Sequence, residues 1–138
     1  MQLDEIKPGP RVNKINKRFW DACNHNELQI QQCDAQACRK WIYFPRVSCP
    51  YCGGGDLTWR IASGCGRIVT YTRIHRPHHK SFFRDAPYYF IAVQLAEGPL
   101  IYSRLEYEGP AEALSGKSVE VFFVEQSPGQ KLPFFHLF

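Results

Sequence analysis

The sequence predicts a mainly β protein with one N-terminal helix, a cysteine-bound ribbon and a small barrel. Three observations support this fold class. Four of the six cysteines form two close pairs, Cys33 with Cys38 and Cys49 with Cys52. From Leu57 onward, short runs of β-branched and aromatic residues are bounded by glycine, proline or aspartate, which is typical of strands. The longest helical pattern lies before the first cysteine pair.

The helix is predicted over residues 13–26, where apolar side chains recur with helical spacing. Ile15, Phe19 and Cys23 stand four residues apart and form one apolar stripe. Asn13 is a suitable N-cap, because its side-chain oxygen can accept a hydrogen bond from a free backbone N–H. We expect Cys23, on the apolar stripe, to be a small buried hydrophobic residue.

Strands are predicted on both sides of the cysteine pairs. Residues 28–32 alternate as a short strand, and residues 41–44 are aromatic and end at Pro45. The C-terminal two-thirds of the chain contains five predicted strands, at residues 57–63, 67–76, 88–97, 100–107 and 118–125. A five-stranded barrel of the OB type fits this number and length of strands. An SH3-like barrel is the nearest alternative, and the strand count does not separate the two.

These elements predict three segments: a lead-in and helix at 1–27, a zinc ribbon at 28–60 and a barrel at 61–138. The last seven residues are unusually apolar and include Leu132, Phe134, Phe135, Leu137 and Phe138. Two interpretations of this tail remain open at the level of sequence. It is either the final strand of the barrel or a segment that docks on a partner, since aromatic residues are enriched at the centre of interfaces.

The cysteines follow the pattern Cys-x4-Cys, ten residues, Cys-x2-Cys. Two short-spaced pairs on facing turns can supply the four thiolates of a tetrahedral zinc ion. Four cysteines fill every ligand position, so the predicted metal is structural, one Zn²⁺ per chain on Cys33, Cys38, Cys49 and Cys52. Iron, which four thiolates also bind, and four free buried thiols are the alternatives.

A second candidate site lies at the end of the predicted strand 67–76 and in the long loop that follows it. His75 and Arg76 introduce basic groups, and Phe82 and Phe83 lie within the loop itself. These four residues are candidates for binding a ligand or a partner, and a solvated loop is the alternative. No phosphate-binding glycine loop, nucleophile elbow or paired-carboxylate motif is present. We expect acidic residues such as Asp85 and Glu97 to be isolated surface charges.

The charge is only mildly basic. The formal net charge is +4, and four thiolate charges with the two positive charges of zinc lower it by two, to +2. This small excess is an argument against nucleic acid as the partner, because nucleic-acid modules usually carry clustered basic residues. The first residues contain no apolar signal-peptide core, and no apolar run approaches the roughly 20 residues of a membrane span. We therefore expect a cytoplasmic protein without a membrane-spanning segment.

An ordered set of short motifs resembles one protein family. The motifs cover roughly residues 13 to 125 and include Phe19-Trp20, Leu28-x-Ile30-x-x-Cys33, Phe44-Pro45-Arg46, Cys49-Pro50-x-Cys52-Gly53, Ser63-Gly64-x-Gly66, His75-Arg76, Pro87-Tyr88 and Glu97-Gly98-Pro99. The resemblance is to small proteins with a rubredoxin-like zinc ribbon before an OB-fold domain, formerly a domain of unknown function. The family usually has Cys-x2-Cys-Gly in its first turn, whereas this chain has Cys-x4-Cys-Arg.

The resemblance implies an accessory role in acyl-CoA metabolism. Members are similar to acyl-CoA-associated proteins that accompany thiolase-like, ketosynthase-like or hydratase-like enzymes, and some are obligatory subunits whose thiolase-like partner carries the chemistry. For this chain, the resemblance implies a non-catalytic subunit that helps to form the acyl-CoA or acyl-acceptor site of its partner. It therefore implies an enzyme partner, with acyl-CoA as a further ligand, and no catalysis by this chain alone. Two other hypotheses remain: a single-stranded nucleic-acid binding module, and a stand-alone protein that binds or hydrolyses acyl-CoA.

Overall fold

The fold was analysed in a computed structural model, which describes residues 6–138. A short helix precedes a three-stranded sheet and a five-stranded barrel. The elements are α1 (Lys17–Asn24), β1 (Gln29–Cys33), β2 (Trp41–Ile42), β3 (Leu57–Ile61), β4 (Cys65–Ile74), β5 (Tyr88–Leu95), β6 (Leu100–Glu106), β7 (Ser118–Ser127) and β8 (Gln130–Leu137). The mainly β fold class with an N-terminal helix is confirmed. No helix among the described residues is long and apolar enough to cross a bilayer.

Helix α1 begins later than the sequence predicts. Asn13 does not cap it; its side-chain oxygen instead accepts hydrogen bonds from the backbone N–H groups of Ile15 and Asn16, both at 2.9 Å. These bonds form a separate turn in which the Ile15 side chain is exposed. The helix starts after this turn, at Lys17. Phe19 and Cys23 are fully buried, and burial raises the pKa of the Cys23 thiol to about 12. Cys23 therefore lies in the core as a neutral thiol.

The ribbon sheet has the strand order β2-β1-β3, and both pairs are antiparallel. Strand β3 pairs with β1 through all five of its residues, from Leu57 opposite Cys33 to Ile61 opposite Gln29. The predicted strand at residues 57–63 therefore belongs to the ribbon and not to the barrel. The five-residue antiparallel pairing of β3 with β1 outweighs the proximity of β3 in sequence to β4.

The barrel is closed in the order β4-β5-β6-β8-β7. Strands β6 and β8 are parallel, with Leu105 opposite Phe135, and the other pairs are antiparallel. This Greek-key connection makes the domain an OB-type barrel, because the last strand returns to lie beside the third. The OB interpretation is confirmed over the SH3-like alternative.

The apolar tail supplies the fifth barrel strand. Strand β8 pairs with β7 along its whole length, and Phe135 is fully buried. The interpretation of the tail as a free docking segment is therefore wrong. Phe134 and Phe135 are buried in the barrel, because pairing with β7 turns their rings away from solvent.

The helix, the ribbon and the barrel share one hydrophobic core. Phe19 from α1 and Ile30 from β1 belong to the same buried cluster as Val93, Ile101 and Phe135 of the barrel. Trp59 and Tyr43 of the ribbon pack against this cluster. A second, smaller cluster surrounds Cys33 and Cys49. Unfolding of the ribbon is therefore expected to expose apolar area of the barrel.

Two glycines allow the chain to pass closely from the ribbon into the barrel. Gly64 has a φ of +78°, a backbone conformation that favours glycine, and it lies against Val121. At Gly66, a Cβ atom would lie 2.5 Å from the backbone oxygen of Gln94 on β5. Neither position has room for a side chain.

An ion-pair cluster fixes the N-terminal segment and the loop before β5 onto the barrel. The Oδ2 atom of Asp85 lies 2.7 Å from Lys7 Nζ and 2.9 Å from Arg104 Nη1. The Arg104 guanidinium stacks over the ring of Tyr88, with 4.3 Å between the guanidinium carbon and the ring centroid. Asp85 is thus not the isolated surface charge that the sequence indicates, because its two cationic partners are distant in the chain.

Ionisation of Asp85 should contribute to the pH dependence of the free energy of unfolding. Burial opposes its ionisation, but hydrogen bonds and charges from Lys7 and Arg104 outweigh burial and lower its pKa. A carboxylate with a lowered pKa stabilises the fold above its unfolded pKa and loses that contribution as the pH falls through its folded pKa. We expect Asp85→Asn to cost about 1–3 kcal/mol at pH 7. The cost should shrink towards pH 3 in urea titrations, whereas a constant difference across this range would contradict the assignment.

Candidate metal centre and barrel face

The four predicted ligands lie on two turns that the ribbon sheet brings together. Cys33 ends β1, and Cys38 follows in a turn closed by a 2.9 Å hydrogen bond from its N–H to the oxygen of Ala35. Cys49 and Cys52 lie on the second turn, where the N–H of Gly53 donates to the oxygen of Cys49 at 2.9 Å. The pairing of β1 with β2 returns the chain so that the two turns face each other.

The four sulfur atoms converge. All lie within 4.8 Å of one another, and the Cys33–Cys52 and Cys38–Cys49 pairs are separated by 3.6 and 3.7 Å. A tetrahedron of thiolates about 2.3 Å from a zinc ion has edges of about 3.8 Å. The donor set therefore fits a four-coordinate ion of that size, and it leaves no open ligand position.

The surroundings favour the thiolate at Cys49 but not at Cys33. At Cys33, the hydrogen bond from the Ala35 backbone is outweighed by burial and by the neighbouring thiols, which raise the pKa to about 12. The backbone N–H groups of Tyr51 and Gly54 point at the sulfur atoms of Cys49 and Cys52, at 3.4 and 3.5 Å. Burial opposes ionisation of Cys49, but the N–H groups of Cys52 and Tyr51 and the neighbouring thiols lower its pKa from 9.0 to about 7. Thiolates are the form that binds a metal, so these amides act as a preformed outer shell.

In both turns the residue after the second cysteine has a positive φ, although only the second turn has a glycine there. Gly53, after Cys52, has a φ of +80°, and Arg39, after Cys38, has a φ of +60°. Arg39 thus adopts a left-handed conformation where the family usually has glycine. Asp34 holds this turn to β3, because its carboxylate accepts hydrogen bonds from Thr58 and from Arg60 and lies 3.6 Å from Arg39. The hydrogen bond from Thr58 is the main cause of the lowered pKa of Asp34.

The two remaining cysteines lie outside this cluster. Cys23 is buried in α1, and Cys65 is half-buried at the start of β4. Within residues 6–138, only the four cysteines of the two turns come close enough to share a metal ion.

A second candidate site is an aromatic groove on the outer face of β5 and β6. Phe90 and Tyr102 are 40% and 59% exposed, and their rings stack with centroids 6.5 Å apart and an interplanar angle of 11°. The groove has a volume of about 240 Å³. Its lining also includes Phe82, Tyr88, Ser103, Arg104, Gln126, Leu132 and Phe134. In OB folds, the face of the second and third strands is a common binding surface.

The structure separates the four loop residues that the sequence singled out. Phe82, in a 3₁₀ turn over Lys80–Phe82, reaches the groove, and Lys7 Nζ lies 5.6 Å from its ring centroid. His75 and Arg76 are exposed and, like the 55% exposed Phe83, do not line the groove. Their predicted binding role stays a prediction.

Sequence reasoning missed Phe90 and Tyr102. The alternation of buried Tyr89, exposed Phe90 and buried Ile91 along β5 is the signal that could have found the first of them. Tyr102 lies opposite Ala92 on the neighbouring strand, so its exposure could be inferred only with the register known.

Two family models together match most of the chain. The rubredoxin-like zinc ribbon domain of ChsH2 matches residues 20–58, and the C-terminal OB-fold domain of ChsH2 matches residues 59–124. A chain of the solved structure named Ltp2-ChsH2(DUF35) aldolase is 30% identical, with a TM-score of 0.81, over 94% of this chain and 98% of that one. The chain belongs to the ChsH2 (DUF35) family. The resemblance seen in the sequence is thus confirmed, as is the order of zinc ribbon and OB fold.

Other relatives agree with this family. A probable enoyl-CoA hydratase alpha subunit of Thermomonospora curvata is 31% identical over 130 residues, 94% of this chain and 40% of the relative. A DUF35 domain-containing scaffold protein of Pyrococcus furiosus is 35% identical over 81 residues, 58% of this chain and 59% of the relative. This chain therefore spans about 40–60% of the length of the curated relatives that it matches. A DUF35 protein from Sulfolobus solfataricus, 11% identical with a TM-score of 0.62 over 92% of this chain and 87% of that one, shares the fold.

Proposed function

We propose that this chain is a non-catalytic accessory subunit that binds a thiolase-like acyl-CoA enzyme and helps to form its acyl-CoA or acyl-acceptor site. The observation that carries the proposal is the similarity, over nearly the full length of both chains, to a chain of the Ltp2-ChsH2(DUF35) aldolase. The names of the hydratase alpha subunit and the scaffold proteins support a role beside an enzyme.

In this proposal, one structural zinc ion sits on Cys33, Cys38, Cys49 and Cys52. The sulfur separations and the amides directed at the sulfur atoms support it. Zinc supplies a fixed cross-link between the two turns and takes no part in a reaction, because all four ligand positions are filled by protein. The ion would hold the ribbon as a rigid surface beside the barrel.

The aromatic groove is proposed as the surface that meets the enzyme. Phe90 and Tyr102 offer exposed ring area, and aromatic residues with arginine dominate the binding energy of many interfaces. Arg104 is already oriented by Asp85 and by the ring of Tyr88, so little side-chain entropy is lost when a partner packs against it. The groove is therefore preorganised for a partner.

Co-purification tests both the accessory role and the choice of the aromatic groove as the contact surface. The chain is co-expressed with a tagged thiolase-like enzyme from the same genome, and its recovery with the enzyme is measured. The double variant Phe90→Ser/Tyr102→Ser should reduce recovery by at least about tenfold, because interface hot spots contribute about 2 kcal/mol or more each. Phe138→Ser, which changes a 78% exposed aromatic residue that does not line the groove, is the matched control.

The possible results distinguish a wrong accessory role from a wrong choice of contact surface. Failure of the wild-type chain to bind the enzyme would refute the accessory role, whereas binding that survives the double variant would refute only the choice of groove. The chain alone should show no acyl transfer, aldol cleavage or thioester hydrolysis above background. Turnover abolished by substituting one of its own residues would overturn the non-catalytic role.

A single-stranded nucleic-acid module is the second candidate, and the exposed stack of Phe90 and Tyr102 is the feature that favours it, since bases stack on such platforms. The charge opposes it, because the formal excess is only +4 before any zinc is counted. We expect fluorescence anisotropy to detect no oligonucleotide binding tighter than about 1 µM at physiological salt. Tighter binding that falls steeply with added salt would favour this alternative instead.

A further inference from the structure

The ribbon sheet has two edge strands, β2 and β3. Strand β3 is hydrogen-bonded to β1 on one side and, within residues 6–138, to no strand on the other. The barrel is closed, and β2 is only two residues long. Among the described residues, strand β3 is therefore unpaired along the whole of one edge, whereas each barrel strand pairs on both sides for at least part of its length.

The hydrogen bonds at the two ends of the β1–β3 ladder show which backbone groups of β3 face β1 and which face outward. The N–H of Ala62 donates to the oxygen of Leu28, and the N–H of Asp34 donates to the oxygen of Asp56, both at 2.8 Å. Hydrogen-bonded pairs alternate along an antiparallel ladder, so Arg60 and Thr58 turn their backbone groups towards β1. The N–H and C=O groups of Leu57, Trp59 and Ile61 therefore point outward.

These outward groups are largely unused. Leu57 N–H makes a 3.2 Å bond to the oxygen of Gly55, and no hydrogen bond among the described residues engages the N–H of Trp59 or Ile61. The Ile61 side chain is 61% exposed beside them. Natural sheets usually protect such an edge with charges, proline or a bulge. The one charged residue in β3, Arg60, lies 3.3 Å from Asp34, and that ion pair engages it within its own ribbon.

The strand is complementary to itself. Its sequence, Leu-Thr-Trp-Arg-Ile, reads apolar, polar, aromatic, polar, apolar in both directions. Antiparallel pairing about a two-fold axis through Trp59 places Leu57 opposite Ile61 of a second copy and Thr58 opposite Arg60 of that copy. This is the one symmetric register in which all five residues are paired. A register centred on Arg60 would place the two like charges opposite each other, which destabilises a sheet.

We propose that β3 is a homodimerisation edge, at which two copies of this chain join their ribbons into one six-stranded sheet. The outward N–H and C=O groups of Trp59 would form a reciprocal pair of hydrogen bonds, and Leu57 and Ile61 would form two apolar cross-strand contacts. The mild net charge imposes little repulsion between copies. Five paired residues make a small interface, so the dimer is weak and concentration-dependent. Homodimerisation through β3 does not require the enzyme partner.

Amide hydrogen exchange measured by NMR, together with sedimentation, tests the proposal on the full zinc-loaded chain. Between about 5 µM and about 500 µM protein, a range that brackets weak association, the chain should shift from monomer to dimer. The amides of Trp59 and Ile61 should become protected at least about tenfold only at the higher concentration. The amide of Arg60, which faces β1, is the internal control and should be protected at both.

Ile61→Pro removes one outward N–H and leaves the bonds to β1 in place, so it should abolish the dimer. Ile61→Val keeps the N–H and the branched side chain and should still dimerise. Equal zinc content and melting temperature would show that both variants fold. A chain that stays monomeric at the higher concentration, or a dimer in which the Trp59 and Ile61 amides remain unprotected, would overturn the proposal.

Discussion

Cys49→Ser is expected to release the zinc ion and unfold the ribbon. The sulfur of Cys49 lies 3.7 Å from that of Cys38 inside the ligand cluster, and the free energy of zinc binding to a structural site is also folding free energy. Such sites supply about 10–16 kcal/mol at neutral pH, which equals or exceeds the stability of a typical domain. Elemental analysis should find about one zinc per chain in the wild type and much less in the variant.

In the Cys49→Ser variant, the loss of stability should extend from the ribbon to the barrel. Ile30 and Trp59 of the ribbon contribute to the core that contains Val93 and Ile101 of the barrel. A melted ribbon would expose these groups, so the barrel should also melt at a lower temperature in circular dichroism.

Cys65→Ser is the matched control, because Cys65 is half-buried and lies outside the four-cysteine cluster. It should keep its zinc and most of its stability. A well-folded wild type without metal, or equal zinc loss in both variants, would refute the assignment.

Loss of the buried part of β8 is expected to lower the free energy of unfolding strongly. Phe135 is fully buried between β7 and β6, opposite Val121 and Leu105. Phe135→Ala removes a buried aromatic ring and leaves a cavity, which costs about 3–5 kcal/mol. Deleting residues 132–138 removes most of the fifth strand and opens the barrel, so the chain should fail to fold at 25 °C. Urea denaturation followed by circular dichroism measures both effects.

Phe138→Ala provides the control within the same segment. This ring is 78% exposed beyond the end of β8, so its removal should change the free energy of unfolding by less than about 0.5 kcal/mol. If Phe135→Ala were as mild as Phe138→Ala, the buried position of β8 would be wrong. A folded truncation product would return the tail to the role of a docking segment.

Much of the candidate metal centre could be predicted from the sequence because its determinants are local. The two cysteine pairs stand at ligand spacing, and a hairpin of about ten residues is enough to bring them together. The positive φ of Arg39 was not predictable, because an arginine carries no signal for a left-handed conformation. This conformation follows from the fold of the turn that ends at Cys38.

The alternation of apolar side chains likewise located the strands, as in β5, where Tyr89, Ile91 and Val93 are buried. The same pattern did not say which sheet a strand joins. The strand Leu57–Ile61 pairs with β1, and the apolar tail closes the barrel between β7 and β6. Partner choice depends on contacts between residues far apart in the chain, and local periodicity does not encode them.

The helix, the thiolate ligand set, the strand-forming segments and the family resemblance were predictable, since each depends on residue type and short spacing. The OB connection, the stacked pair of Phe90 and Tyr102, the shared carboxylate of Asp85 and the open edge of β3 emerged only from the folded chain. Each of these arises where long-range strand pairing places side chains or backbone groups that are distant in sequence next to one another, or leaves them without a neighbour.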